Sequence, residues 1–257
     1  MIYYKTDEEI EKIRKSSLLV GKALAEVAGI IRPGVKTAEL DKLAEEFIRD
    51  NNALPAFKGY RNFPATLCTS VNEQVVHGIP GNRELNDGDI VSIDCGVLKN
   101  GYYGDSAYTF VVGEVKPEVL LLLKATKESL YKGIENAVEG KRLGDISFAV
   151  QSHVENLGFS VVRDLVGHGI GKNLHEKPEV LNYGKKGTGI KLNVGLVIAI
   201  EPMINEGRYQ VVQESDGWTV RTADRMASAH FEHTVAVRKN KADILSSFDE
   251  IEKVINK

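Results

Sequence analysis

Apolar residues near the start of the chain recur with the period of an α-helix. Thr6 and Glu9 have the spacing of a capping box, and an apolar stripe follows them until Arg32-Pro33-Gly34 interrupts it. A second stripe begins after Thr37 and ends at Asp50-Asn51-Asn52. The pattern therefore predicts two helices, and we expect both to serve packing.

Beyond this helical region the apolar period changes to two, which is typical of β-strands. Residues 89–95 and 102–112 alternate in this way, and the turn at 99–101 between them predicts a β-hairpin. Two longer helices are predicted next, one from Pro117 to before Gly140 and one from Asp145 to Gly158. Further strands are predicted at residues 159–163, 195–201, 207–213 and 228–238, with a short one at 218–221.

The order of these elements indicates the fold class. Helices followed by a hairpin, and then helices followed by strands, are typical of an α+β protein with helices on one face of a mostly antiparallel sheet. The sequence contains no internal repeat by residue identity and no low-complexity linker. We therefore expect one domain over residues 1–257.

Composition and charge exclude several classes of protein. The chain has 257 residues, of which 42% are hydrophobic and 27% charged, and its formal net charge is −3. This balance provides no basic field for sequence-independent binding of nucleic acid. The longest apolar runs, 119–123 and 194–200, are far shorter than the roughly 18 residues of a membrane span. With only two cysteines and no secretory leader, we expect a cytoplasmic protein that binds neither a membrane nor a specific nucleic acid.

Acidic residues interrupt the apolar strands, and this is where the candidate chemistry lies. Asp94 lies within a predicted strand, and a two-residue turn in the hairpin would place Asp105 on the same face. Glu201 and Glu232 end or interrupt two later strands in the same way. Four buried carboxylates around one centre would repel one another. Two divalent cations would remove this repulsion, so the pattern predicts a metal site.

A nitrogen ligand is also available. His168 is surrounded by glycines at 167, 169 and 171, which permit close approach of the backbone, and His175 follows seven positions later. A single acidic residue in a strand is more often structural than a ligand, so the prediction depends on the whole set. His153 is expected to be an ordinary helix residue, and His233 alternates away from Glu232.

Taken together, these residues resemble the metal ligands of type I methionine aminopeptidases. Asp94, Asp105, His168 within GHGIG, Glu201 in EPM and Glu232 in FEHT match the five ligands of that family in order and spacing. The strings Asn72-Glu73, His77-Gly78-Ile79-Pro80, His175-Glu176-Lys177-Pro178 and Trp218 extend the resemblance along the chain.

The resemblance implies a pita-bread α+β fold with pseudo-twofold halves and a single catalytic peptidase domain over residues 1–257. It also implies a dinuclear metal centre and removal of the initiator methionine from nascent proteins. Type II relatives carry a large insertion in the C-terminal half that does not fit between His175 and Glu201. The compact bacterial-like form is therefore the closer match.

The resemblance further implies a role for each site residue. Asp105 and Glu232 would bridge two ions, Asp94 would bind one of them, and His168 with Glu201 would bind the other. An oxygen-rich site with one imidazole suits cobalt, manganese or iron, with zinc as a further candidate. A hydroxide held between the ions would attack the first peptide bond. The expected catalytic residues besides the ions are Glu201 as general base, His175 at the oxyanion and His77 beside the substrate.

The same resemblance implies an apolar pocket for the methionine side chain. Without the resemblance, the aromatic residues assigned to this pocket would be interpreted as part of the hydrophobic core. Phe57 stands where many bacterial relatives have Cys, and Leu174 stands where some have Phe. The second substrate residue should be small, so the chain, with Ile2, should retain its own Met1. The expected pocket residues are Phe57, Tyr60, Phe63, Cys68, His77 and Trp218.

The expected partners are the N-termini of nascent polypeptides and the ribosome, and the family suggests a monomer. Two alternatives stay open at this point. The first is an aminopeptidase of the same fold that selects Xaa-Pro peptides. The second is a non-catalytic member that binds peptides or ribosomes, although such proteins lose metal ligands and none is missing here.

Overall fold

A pair of helices followed by strands occurs twice along the chain. The computed structural model describes residues 1–256. The helices are α1 (Asp7–Ala28), α2 (Thr37–Asp50), α3 (Pro117–Ile134), α4 (Leu143–Glu155) and α5 (Asp249–Ile255), with a 3₁₀ turn at Tyr60–Asn62.

The strands are short apart from two of them, and every pairing among the named strands is antiparallel. Those of the first half are β1 (Leu54–Pro55), β2 (Leu67–Val71), β3 (Gln74–Val76), β4 (Ile90–Lys99) and β5 (Tyr102–Val111). Those of the second half are β6 (Ser160–Val161), β7 (Gly167–Gly169), β8 (Glu176–Val180), β9 (Val197–Ile200), β10 (Met203–Asn205), β11 (Val211–Gln213), β12 (Val220–Thr222), β13 (Ser228–His230), β14 (His233–Ala236) and β15 (Asp243–Ile244).

Helix α1 begins where the sequence predicted. The Thr6 hydroxyl accepts a bond from the Glu9 amide at 3.3 Å, and the Thr6 amide donates to the Glu9 carboxylate at 3.0 Å, so the capping box is confirmed. The buried face of the helix packs against strands β4 and β5. Helices α1 and α3 end earlier than predicted, at Ala28 and Ile134.

The predicted hairpin is confirmed in its register. Strands β4 and β5 are joined by Asn100 and Gly101, both with positive φ (53° and 76°), as a type I′ turn requires. Asp94 therefore pairs with Ala107, and Asp105, two residues from Ala107, lies on the same face as Asp94.

One continuous strand was predicted at residues 228–238, and this prediction was wrong, because the structure has two strands there. The chain leaves the extended ladder at Phe231 and Glu232, where the Glu232 amide donates to the Ala107 carbonyl at 2.9 Å. Strand β13 before the break pairs with β10, whereas β14 after it pairs with β9 and β15. The break places Glu232 where two sheets meet. Three other predicted strands are shorter than expected, at β6, β9 and β11.

The sheets surround two distinct apolar regions. The larger core lies between the helices and the sheets and includes Leu24, Ile93 and Phe231. A second buried cluster contains Phe57, Phe63, Cys68 and Leu174, all beside the opening described below. Among the described residues, no helix combines the length and the apolar character needed to cross a membrane.

Candidate metal centre

Five side chains from five separate stretches of the chain meet between the two halves. Asp94 projects from β4, Asp105 from β5 and His168 from β7. Glu201 directly follows β9, and Glu232 lies in the break between β13 and β14. Pairing of β9 with both β7 and β14 brings the last three together, and the Glu232–Ala107 bond joins them to the hairpin.

The centre of this group is compact and buried. Ligand atoms of Asp105, His168 and Glu232 all lie within 4.8 Å of one another. The Nε2 atom of His168 lies 3.6 Å from Oε1 of Glu201 and 3.9 Å from Oδ2 of Asp105. The structure thus brings all five predicted ligands to one place.

The glycines around His168 leave room for this approach. A Cβ atom at Gly167 would lie 2.4 Å from the Ala199 carbonyl oxygen, and one at Gly169 would lie 2.4 Å from that of Lys177. The Nδ1–H of His168 donates to its neighbour's carbonyl at 2.9 Å, so the Nε2 lone pair points to the carboxylates. Burial lowers the pKa of His168 to about 4, which keeps the ring neutral as a metal ligand must be.

The carboxylates have no cationic side chain to balance them. Among residues 1–256, no Lys or Arg lies within 4.0 Å of Asp94, Asp105, Glu201 or Glu232. Burial raises the pKa of Asp94 to about 7. Burial, and then the other carboxylates, raise the pKa values of Asp105, Glu201 and Glu232 well above their usual range.

Unsatisfied oxygen atoms show that this site fits a bound cation. Oδ1 of Asp94, Oδ1 of Asp105 and Oε1 of Glu232 are buried without a hydrogen-bond partner among residues 1–256. Leaving such atoms unpaired is costly, and a hard or borderline divalent ion would satisfy them. The carboxylates of Asp94, Asp105, Glu201 and Glu232 with the imidazole of His168 are therefore the residues that could hold metal.

His175 lies at the rim of this centre. Its ring is 4.2 Å from that of His168, and its Nδ1 atom is 2.7 Å from the Tyr60 hydroxyl. Burial, and next the nearby His168, lower the pKa of His175 to about 3. The adjacent Glu176 forms a buried ion pair with Lys5 at 2.6 Å, which ties this loop to the N-terminal segment.

A cavity of about 260 Å³ opens onto the five ligands. Phe63 and Trp218 meet edge to face in its wall, with ring centroids 5.1 Å apart. An Asp216 carboxylate that accepts bonds from two backbone amides fixes the turn bearing Trp218. Phe57 and Leu174, the two residues that differ from those of some bacterial relatives, also lie in the wall. All six predicted pocket residues line the cavity, namely Phe57, Tyr60, Phe63, Cys68, His77 and Trp218.

Sequence reasoning assigned no role to two residues that contact Glu201. His230 is 1% exposed, and its Nε2 atom, 3.7 Å from Oε2 of Glu201, has no hydrogen-bond partner within the part of the chain that the structure describes. Its position two residues before Glu232 in the predicted strand 228–238 was a usable signal. Asn182 donates from Nδ2 to the Glu201 carbonyl at 2.9 Å, and nothing in the sequence pattern indicated this.

Two histidines lie outside the centre, as predicted. His233 points away from Glu232, and its Nδ1 atom lies 2.6 Å from the Ser246 hydroxyl. His153, on α4, lies 3.1 Å from a carboxylate oxygen of Glu128.

Comparison with known proteins assigns this arrangement to a family. A sequence model of metallopeptidase family M24 matches residues 11–239. A methionine aminopeptidase of Clostridium acetobutylicum is 53% identical over 247 residues, which are 96% of this chain and 99% of that protein. The crystal structure of methionine aminopeptidase from Rickettsia prowazekii superimposes with a TM-score of 0.95 at 42% identity, covering 96% of this chain and 100% of that one. A prolidase from Pyrococcus horikoshii shares the fold, with a TM-score of 0.77 at 23% identity over 96% of this chain and 64% of that one.

Proposed function

Because the chain belongs to the methionine aminopeptidases of metallopeptidase family M24 and has their pita-bread fold, we propose that it removes the initiator methionine from nascent proteins whose second residue is small. The observation that supports this most strongly is the arrangement of buried, unpaired carboxylates at the floor of an apolar cavity of about 260 Å³. Such a cavity suits the polarisable thioether of methionine.

We assign two divalent ions to the five side chains. Asp105 and Glu232, which each offer two oxygens, would be shared between the ions, Asp94 would hold one ion, and His168 with Glu201 would hold the other. The donor set favours cobalt, manganese or iron, and zinc is a further candidate. When bound, the ions would lower the pKa of a shared water and so supply the hydroxide nucleophile at neutral pH.

The side chains of the protein perform the remaining steps of the proposed reaction. Glu201 receives the proton of the attacking water and passes it to the departing amine. His175 donates a hydrogen bond to the carbonyl oxygen as negative charge develops on it. His77, half-buried in the cavity wall, orients the substrate against Trp218, 6.3 Å away between ring centroids.

Phe57 and Leu174 help to set the shape of the pocket for the substrate side chain. Phe57 and Leu174 keep the wall apolar, and Phe57 fills more space than a cysteine would. We therefore expect methionine to be preferred over larger or β-branched first residues.

We further propose that the protein acts as a cytoplasmic monomer on chains emerging from the ribosome. The support is chemical: the initiator methionine first becomes accessible when the chain emerges from the ribosome. Contact with ribosomal RNA would need a local basic patch, because the net charge is −3. Candidate residues for such a patch are Lys36, Lys42, Lys185, Lys186 and Lys191.

Metal reconstitution tests the proposed function. The protein is stripped with a chelator, and manganese, iron, cobalt or zinc is restored singly before assay with Met-Gly-Met and with an Xaa-Pro peptide. We expect ion-dependent release of methionine from Met-Gly-Met only. Cleavage of the Xaa-Pro peptide instead would favour the related Xaa-Pro specificity. Absence of hydrolysis with every ion would favour a binding protein.

A further inference from the structure

The segment that carries Tyr60 is strained. Arg61 and Asn62 have positive φ angles of 49° and 71°, a region that residues with a side chain enter at a cost. The turn is closed on itself, since the Gly59 amide donates to the Phe63 carbonyl at 2.8 Å and the Phe63 amide to the Tyr60 carbonyl at 2.9 Å. Such strain persists where the surroundings fix the conformation, and it is concentrated at functional sites.

The strained turn places two aromatic side chains, Tyr60 and Phe63, in the cavity wall. These two side chains make different contacts. Phe63 packs only through its ring, against Trp218. Tyr60 has its ring in the wall, 5.1 Å from the ring of His175, and its hydroxyl 2.7 Å from His175 Nδ1. The hydroxyl thus touches the one residue to which we assigned stabilisation of the oxyanion.

We propose that Tyr60 is a positioning residue for His175: its hydroxyl donates to Nδ1, so that the single ring proton stays on Nε2 and is directed into the cavity. This inference rests on the proposed function, because it concerns how His175 acts in that reaction. No bond to the substrate is assigned to the Tyr60 hydroxyl.

The Tyr60 hydroxyl is the hydrogen-bond partner of one ring nitrogen of His175. It lies 2.7 Å from Nδ1, and among the described residues no carboxylate lies within 4.0 Å of either nitrogen. A neutral imidazole has one donor and one acceptor nitrogen, and its partner decides which is which. A tyrosine hydroxyl that donates to Nδ1 leaves Nε2 as the donor.

The backbone of His175 is already held independently, so the Tyr60 hydroxyl has a separate task. Glu176 is fixed by its buried ion pair with Lys5, and its other carboxylate oxygen accepts the Asn173 amide at 3.2 Å. Ile2 pairs with Lys177 on the other side. These contacts fix where the residue lies, whereas the hydroxyl fixes the tautomer and the ring orientation.

The first test removes the hydroxyl and keeps the ring. Tyr60→Phe should lower kcat for Met-Gly-Met about tenfold, the effect of one hydrogen bond, and should change KM less than about twofold. In a His175→Ala background the same substitution should have no further effect on kcat, because the hydroxyl acts through His175. Tyr103→Phe is the matched control, since its ring packs on the same cluster without lining the cavity.

The second test does not depend on activity. Nitrogen-15 NMR of the histidine side chains in the zinc-loaded protein should show His175 protonated at Nε2, and Tyr60→Phe should give a mixture of tautomers. A wild-type His175 that is protonated at Nδ1 overturns the inference. So does a Tyr60→Phe enzyme with normal kcat. A Tyr60→Phe substitution that lowers kcat in the His175→Ala background as much as in the wild type overturns it too. If the wild-type protein cleaves no Met-peptide, the proposed function fails while the tautomer can still be measured.

Discussion

Removal of the metal ions should make the stability of the protein depend on pH. Asp94 has its pKa raised from 3.8 to about 7 by burial, so the folded chain holds a proton that the unfolded chain releases. Folding is then linked to proton uptake, and the stability of the metal-free protein must fall as pH rises from about 4 through 7. The shift of Asp94 alone corresponds to a loss of about 2 to 3 kcal/mol between pH 5 and pH 8.

The other buried carboxylates extend this decline. The pKa values of Asp105, Glu201 and Glu232 are raised further, so the metal-free protein should go on losing stability above pH 7. Bound divalent ions take the place of the protons, and the metal-loaded protein should show a much weaker dependence.

Urea denaturation at pH 5 and pH 8, with a chelator or with excess manganese, measures this difference directly. Asp94→Asn should remove about 2 to 3 kcal/mol of the pH dependence in the chelated protein. Asp87→Asn, which changes an exposed turn carboxylate, should leave the dependence unaltered. Equal stability of the chelated protein at the two pH values would refute the description of these groups as buried and unpaired.

Three further predictions concern activity and processing. Glu201→Gln should lower kcat for Met-Gly-Met by a factor of about 10² to 10⁴, measured as methionine released with manganese restored. Gly167→Ala should weaken manganese binding, measured by calorimetry, because its Cβ would lie 2.4 Å from the Ala199 carbonyl oxygen and 3.2 Å from the Glu201 side chain. Gly81→Ala is the control, because a Cβ there meets no atom of the described residues within 4 Å and the backbone φ is not positive. Intact mass spectrometry should find Met1 retained, because Ile2 is too large, and its loss would contradict the rule of a small second residue.

Local patterns were enough to predict the hairpin and the placement of two candidate metal ligands. The Asn100-Gly101 turn fixes which residues of β4 and β5 face each other, and the alternation of side chains then places Asp94 and Asp105 on one face. The capping box at Thr6 is equally local. Each of these features involves residues close in sequence, so the sequence alone could specify it.

Features that depend on distant contacts could not be predicted in this way. The sequence around Glu232 predicts one extended strand, and the break found there coincides with the bond from the Glu232 amide to the Ala107 carbonyl on the distant strand β5. Helix α5 has only seven residues and is held by Lys127 paired with Glu252. The same limit applies to the side-chain contacts of the site. Those of His230 and Asn182 with Glu201, and of Tyr60 with His175, join residues far apart in sequence.

The central claim is that Asp94, Asp105, His168, Glu201 and Glu232 together hold two divalent ions. Anomalous diffraction at the manganese absorption edge, from crystals grown with manganese, tests it most directly. We predict two adjacent anomalous peaks enclosed by these side chains, with Asp105 and Glu232 contacting both. A single peak, or peaks bound elsewhere on the protein, would contradict it.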